Sequence, residues 1–252
     1  MGEIIAIVNQ KGGVGKTTTA VNLCASLHNA GQKVLLCDFD PQANATSGMG
    51  TEKRRLRSSV YDILTGEHAA EEIIVKTPYG DLMPSSTSLA GAGIELTELE
   101  GREFVLRKAL APLAEKYDYI LIDCPPSLEL LTVNALCAAD SILIPVQCEY
   151  YALEGLSDLM ATMRAIKSRL NPRLTIFGVL LTMFDGRTNF SMQVAQEVRR
   201  HFPGKVYANV IPRNVRLAEA PSHGCPVSAY DRQSRGAKAY EAVTREILNR
   251  RK

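Results

Sequence analysis

Short apolar runs rich in β-branched residues alternate with helix-like stretches along almost the whole chain, and this alternation limits the fold more than any other feature. Residues 3–9 (EIIAIVN), 33–38 (KVLLCD), 119–123 (YILID), 141–146 (SILIPV), 174–182 and 206–211 read as strands. Residues 17–30, closed by Gly31, read as a helix, as do 58–64 with a serine cap, 103–116, 129–139, 153–170, 191–202 and 236–250. Nearly continuous apolar strands separated by helices belong in a parallel sheet covered on both faces. The expected fold class is therefore α/β, a mostly parallel sheet flanked by helices. Stretches 186–190 and 221–235 are the more loop-like parts. No linker, repeat or low-complexity tract divides the chain, so residues 1–252 are expected to form a single domain.

Sheets of this kind bind ligands at the C-terminal ends of their strands, and a glycine-rich loop stands at the first such end. Its sequence is Gln10-Lys11-Gly12-Gly13-Val14-Gly15-Lys16-Thr17-Thr18, between a strand and a helix. The glycines let the backbone bend so that several N–H groups address one anion, and the helix start adds its positive end. Lys16 would neutralise β- and γ-phosphates, Thr17 would ligate Mg²⁺, and Thr18 could reach an α-phosphate. A ligand-free glycine turn would not explain a lysine and two threonines at this spacing. Lys11 adds a second cation, which cannot serve packing in a loop that surrounds phosphates.

Two further acidic positions end strands. Asp38 and Asp40 follow the second strand in DFDPQ, and Asp123 closes YILID ahead of Pro125 and Pro126. Alone, each would read as a loop cap or a chance match. Beside a phosphate loop, a carboxylate near a γ-phosphate and another beside Mg²⁺ suit phosphoryl transfer, which needs mainly positioning and charge neutralisation.

The 252 residues carry a net charge of only +2, unevenly placed. From residue 199 onward there are 12 Lys and Arg against 4 Asp and Glu, which leaves the first 198 residues at −6. A basic final quarter suits a polyanionic partner or a solvated helix face. The six cysteines form no CxxC pair and read as small core residues of a reducing compartment. No signal peptide or membrane-length apolar run is evident, which points to the cytoplasm.

KGGxGKT[ST] is the signature of deviant Walker A ATPases, and with DxDPQ and DxPP the chain resembles the ParA/MinD superfamily. Residues 145–154 resemble the ParA/Soj segment PxQxEYYALEG, 182–188 resemble TMYDxRT, and 211–222 resemble IPRNVRLxEAPS. The resemblance covers nearly the whole chain. It implies an ATP-dependent DNA-segregation ATPase with ATP and Mg²⁺ as cofactors. It implies that Lys11 crosses a nucleotide-sandwich homodimer to the partner's ATP, that Asp40 orients the attacking water, and that Asp40 and Asp123 reach Mg²⁺ through water. It further implies that Arg187 and Arg216 bind DNA without sequence preference, although a surface ion pair is the plain alternative for each. Met183, Pro212 and Arg213 are the candidates it offers for an adenine pocket. A ParB-like centromere-binding partner, a replication initiator and a nucleoid-associated location are implied too.

Three rivals are weaker. A membrane-cycling MinD-like ATPase would carry an amphipathic C-terminal helix, whereas Tyr240, Val243, Ile247 and Leu248 form a core-facing stripe ahead of Asn249-Arg-Arg-Lys252. A nitrogenase-iron-protein-like reading would need cluster-binding cysteines, and neither Cys124 nor Cys148 has that setting. A plasmid-type relative with an operator-binding domain would need a helix-turn-helix ahead of the loop, which begins at residue 10.

Overall fold

The computed structural model describes residues 2–149 and 152–250. Tyr150 and Tyr151 of the 145–154 segment, and Arg251 and Lys252 at the chain end, lie outside the described residues. The elements run β1 (Glu3–Ile7), α1 (Lys16–Asn29), β2 (Val34–Asp38), α2 (Asn44–Gly48), α3 (Val60–Thr65), β3 (Val75–Thr77), β4 (Gly80–Met83), α4 (Leu89–Glu95) and α5 (Val105–Leu110). They continue with β5 (Tyr119–Asp123), α6 (Leu130–Ala138), β6 (Ser141–Gln147), α7 (Ala152–Arg169), β7 (Thr175–Thr182), α8 (Asn189–His201), α9 (Val215–Glu219), α10 (Val227–Tyr230) and α11 (Arg235–Arg250).

The seven strands form one sheet in the order β3-β4-β2-β5-β1-β6-β7, parallel except where β3 meets β4. Each central strand feeds both faces through its period of two. Ile4 and Ala6 join one core with Leu35, Ile120 and Ile142, under α5, α6, α7 and α8. Ile5 and Ile7 join the other with Leu36, Leu121 and Leu143, under α1 and α11. Tyr240, Val243 and Ile247 are buried in that second core, with Leu248 packed against it, as the stripe on the last helix suggested. The α/β class is the observed one.

Local signals explain several element ends. Gly15 begins α1 at φ 90°, and Gly31 ends it at φ 85°, both left-handed values that glycine adopts without strain. Ser59 and Asp62 close a capping box on α3.

Some expected elements differ. The helix expected over 103–116 is split into α5 and flanking 3₁₀ turns at Arg102–Phe104 and Ala111–Leu113; at the second of these, Pro112 lacks the N–H that a continuous helix would need. The strand expected over 206–211 makes one isolated bridge, Val179 with Val206, and a second, Phe184 with Pro212, follows just past its end. The N–H groups of Ala208 and Asn209 bond to Glu246 of α11 instead, so the ladder is interrupted. The β3–β4 hairpin was not expected from sequence. Part of the loop-like 221–235 stretch is helical, as α10, and Asn189 and Phe190 belong to α8.

Candidate active site

Three chain segments meet because their strands are neighbours. In the sheet β5 lies between β2 and β1, with Asp123 level with both Asp38 and Ile7. The glycine loop leaves β1, DFDPQ leaves β2, and Asp123 ends β5, so their side chains collect at one edge.

The loop is fastened from two sides. Asn9 donates from Nδ2 to the Pro145 carbonyl at 2.8 Å and accepts from the Lys11 N–H at 3.0 Å. Thr182, at the end of β7, donates from Oγ1 to the Val14 carbonyl at 2.8 Å. Gly13 holds φ 75°, and a side chain at Gly12 or Gly13 would point into open space, which leaves the backbone N–H groups accessible. No side chain caps the start of α1, so its first N–H groups face outward as an anion site.

Lys16 is 7% exposed, and its Nζ bonds to the Lys11 carbonyl at 3.1 Å. Burial lowers its pKa, while Asp123 and Asp40 nearby favour the charged form. Asp38 is fully buried and accepts from the Thr46 N–H at 2.6 Å, the Thr46 hydroxyl at 2.7 Å and the Asp40 N–H at 3.3 Å. Burial raises its pKa to about 6 despite those bonds. Asp123 is also fully buried, and both carboxylate oxygens lack a hydrogen-bond partner. Burial first, and Asp38 second, push its carboxyl well above the usual range. Thr17 lies close enough to oppose that rise without completing a bond of regular geometry. Asp40 is 8% exposed and accepts from the Gln42 N–H at 2.9 Å, while its own carbonyl accepts from Ser85.

Buried carboxylates that repel each other, one of them unpartnered, fit a divalent cation better than they fit a dry core. An uncapped helix start and a buried lysine next to them fit a polyphosphate.

A cavity of about 240 Å³ opens beside the loop, and Met183, Pro212 and Arg213 line it together with Gly15, Thr18 and Tyr240. Met183 holds φ 50°, left-handed backbone that is costly for a residue with a side chain. The structure thus brings the three adenine-pocket candidates to one cavity adjoining the phosphate loop.

Lys11 is not part of the buried cluster. Its Nζ pairs with Glu149 Oε2 at 3.4 Å, and Glu149 also faces Arg213 at 3.9 Å and accepts from Gln147. Arg187 lies in the turn that follows Phe184 and Arg216 on α9, which follows Pro212, so both stand just beyond the Phe184–Pro212 bridge. Arg187 forks onto Asp185, with bonds of 2.9 and 2.8 Å, which hold that carboxyl down at about 2, yet its side chain is 90% exposed. Arg216 bonds to Glu219 at 2.8 Å and approaches Asp231 at 3.4 Å and the Tyr230 ring at 6.0 Å. Both arginines therefore have intrachain carboxylate partners, and each keeps donors free, since a guanidinium carries five N–H groups.

Against known proteins, residues 2–176 match the model of a family described as an AAA domain. Over 249 residues the chain is 57% identical to the sporulation initiation inhibitor protein Soj of Bacillus subtilis, covering 98% of each. It is 52% identical over 252 residues to the chromosome partitioning protein ParA of Myxococcus xanthus, covering 99% of this chain and 89% of that one. The chain belongs to the Soj/ParA family of chromosome-partitioning ATPases. It is an ATPase with the P-loop fold of that family. A crystal structure of a Mycobacterium smegmatis protein called cobyrinic acid a,c-diamide synthase, with ADP and magnesium bound, superposes with a TM-score of 0.87 at 36% identity, covering 98% of this chain and 94% of that one. Among the described residues no helix is long and apolar enough to cross a membrane, and no cluster of three or more His, Cys, Asp or Glu is arranged to hold a metal.

Asn9, Thr182, Glu149 and Tyr240 were not singled out as site residues from sequence. Each acts through partners far along the chain, 136 residues away for Asn9 and 168 for Thr182.

Proposed function

We propose that residues 1–252 act as one ATPase domain whose ATP-bound form closes face to face with a second copy and then binds double-stranded DNA without sequence preference. The observation that supports this most is the meeting of Lys16, Asp40 and Asp123 beside an uncapped helix start. Gly12, Gly13, Val14 and Gly15 present backbone N–H groups to the phosphates, and Lys16, Thr17 and Thr18 bind them from α1. The adenine lies against Met183, Pro212 and Arg213. Thr17, with Asp40 and Asp123 acting through water, would hold Mg²⁺, which would supply charge neutralisation at the phosphates.

Asp40 accepts a hydrogen bond from the attacking water and holds it in line. The water oxygen bonds to the γ-phosphorus as the bond to the β–γ bridging oxygen breaks, and Lys16 neutralises charge on the leaving diphosphate. Lys11 leaves Glu149 and reaches the triphosphate of the other copy, so closure requires ATP. Two copies then present two sets of Arg187 and Arg216, and doubled phosphate contacts convert weak affinity into strong affinity. Hydrolysis separates the copies and releases DNA. A ParB-like centromere-binding protein stimulates this step, a replication initiator is a further partner, and the protein works in the cytoplasm on the nucleoid.

Asp40→Ala tests the chemical step. ATP turnover is expected to fall by about a hundred-fold or more, with ATP still bound. Turnover at the parent rate would remove Asp40 from the mechanism.

A further inference from the structure

A second cleft lies away from the phosphate loop. It has a volume of about 560 Å³ and runs between the C-terminal half of α1 and α11, bounded by the β3–β4 turn and α10. That volume is within the range of about 300–1,000 Å³ typical of small-ligand sites.

The lining is polar where helix packing alone would favour apolar side chains. Thr244 on α11 is 2% exposed, and its buried hydroxyl has no hydrogen-bond partner among the described residues; Ser26 on α1, 7% exposed, lines the cleft with it. Buried hydroxyls without partners are uncommon and costly. Arg232 and Arg245 stand at the rim, both exposed and without an ion pair among the described residues, in contrast to Arg187 and Arg216. Glu241 and Tyr79 are also part of the lining.

Guanidinium groups and hydroxyls together suit phosphate oxygens. A carboxylate such as Glu241 suits sugar hydroxyls, and a tyrosine ring suits a flat or apolar face. We propose that this cleft binds a small phosphorylated metabolite bearing hydroxyl groups, of the sugar-phosphate or nucleoside-monophosphate class, as an effector. A duplex phosphate would reach the rim arginines but not the recessed hydroxyls.

The cleft is mechanically joined to the nucleotide site. Tyr240 lines both cavities, and its hydroxyl lies 3.2 Å from the hydroxyl of Thr19, one residue beyond the phosphate loop. A ligand that shifts α11 against α1 therefore changes nucleotide affinity, and nucleotide changes ligand affinity by the same factor. This coupling rests on the nucleotide-site reading above, whereas binding in the cleft does not.

The test uses the full chain saturated with ADP and Mg²⁺, so that the phosphate loop is occupied. Ribose 5-phosphate and guanosine monophosphate are titrated by calorimetry. At least one is expected to bind with Kd below about 1 mM. Arg232→Ala with Arg245→Ala should weaken that binding about ten-fold or more, and Thr244→Val, which keeps the volume, several-fold. Melting curves of the same variants report on folding. No heat from either probe up to about 10 mM, or unchanged binding in the double arginine variant, would overturn the site. Loss of DNA binding in that variant while neither probe binds would overturn it as well, and would assign the arginines to DNA. ADP affinity is then measured with and without the bound probe, and no change would overturn the effector role.

Discussion

Lys11 is paired with Glu149, and the proposed dimer would have to break that pair, which makes a quantitative prediction. The pair is 3.4 Å apart, with side chains 35% and 47% exposed. Exposed pairs of this kind contribute about 0.2–1 kcal/mol each. A face-to-face dimer must break two of them, about 0.4–2 kcal/mol in total, which corresponds to roughly a 2- to 30-fold change in the dimer dissociation constant. Glu149→Gln removes the charge and keeps the shape, so Gln147 can still find an acceptor there. Measured by sedimentation velocity with ATP, in an Asp40→Ala background that preserves the nucleotide, Glu149→Gln should dimerise more tightly within that range. The gain should shrink at high salt, because the parent's ion pair is screened. Weaker dimerisation would refute the reasoning, since it would mean that Glu149 supports the closed form instead of opposing it.

Thr182→Val removes the buried bond to the Val14 carbonyl and leaves that carbonyl unpartnered, at a cost of about 1–3 kcal/mol. It should lower the melting temperature and weaken ADP binding together, which thermal unfolding with and without ADP checks. Burial raises the thiol pKa of Cys24, Cys37 and Cys124, so their thiolate fractions at neutral pH are well below that of an ordinary cysteine. Alkylation followed by mass spectrometry should therefore mark the partly exposed Cys225 first, faster as pH rises, with the five buried cysteines protected until the chain unfolds.

The parts of the site that could be read from sequence are those whose chemistry is written in consecutive residues. Lys11 to Thr18 carry their spacing with them, and Asp38, Asp40 and Asp123 end recognisable strands. What could not be read depends on chain crossings. The Lys11–Glu149 pair spans 138 residues, and only the sheet order, with β6 beside β1, brings its two ends together. The edge hairpin was invisible because β3 and β4 have only three and four residues, too few for a period to show. Pro112 was a legible signal against a continuous helix over 103–116. The interruption at Ala208 and Asn209 was not, because the competing acceptor, Glu246, belongs to the last helix.

The central claim is that ATP, through dimer closure, switches DNA affinity on. Binding of the chain to a random-sequence duplex should be measured without nucleotide, with ADP and with ATP, across a salt series, for the parent and for Arg187→Glu with Arg216→Glu. The account predicts tight, salt-sensitive binding with ATP alone, lost in the double variant. Equal affinity in ADP and ATP, or undiminished ATP-dependent binding by the double variant, would contradict it.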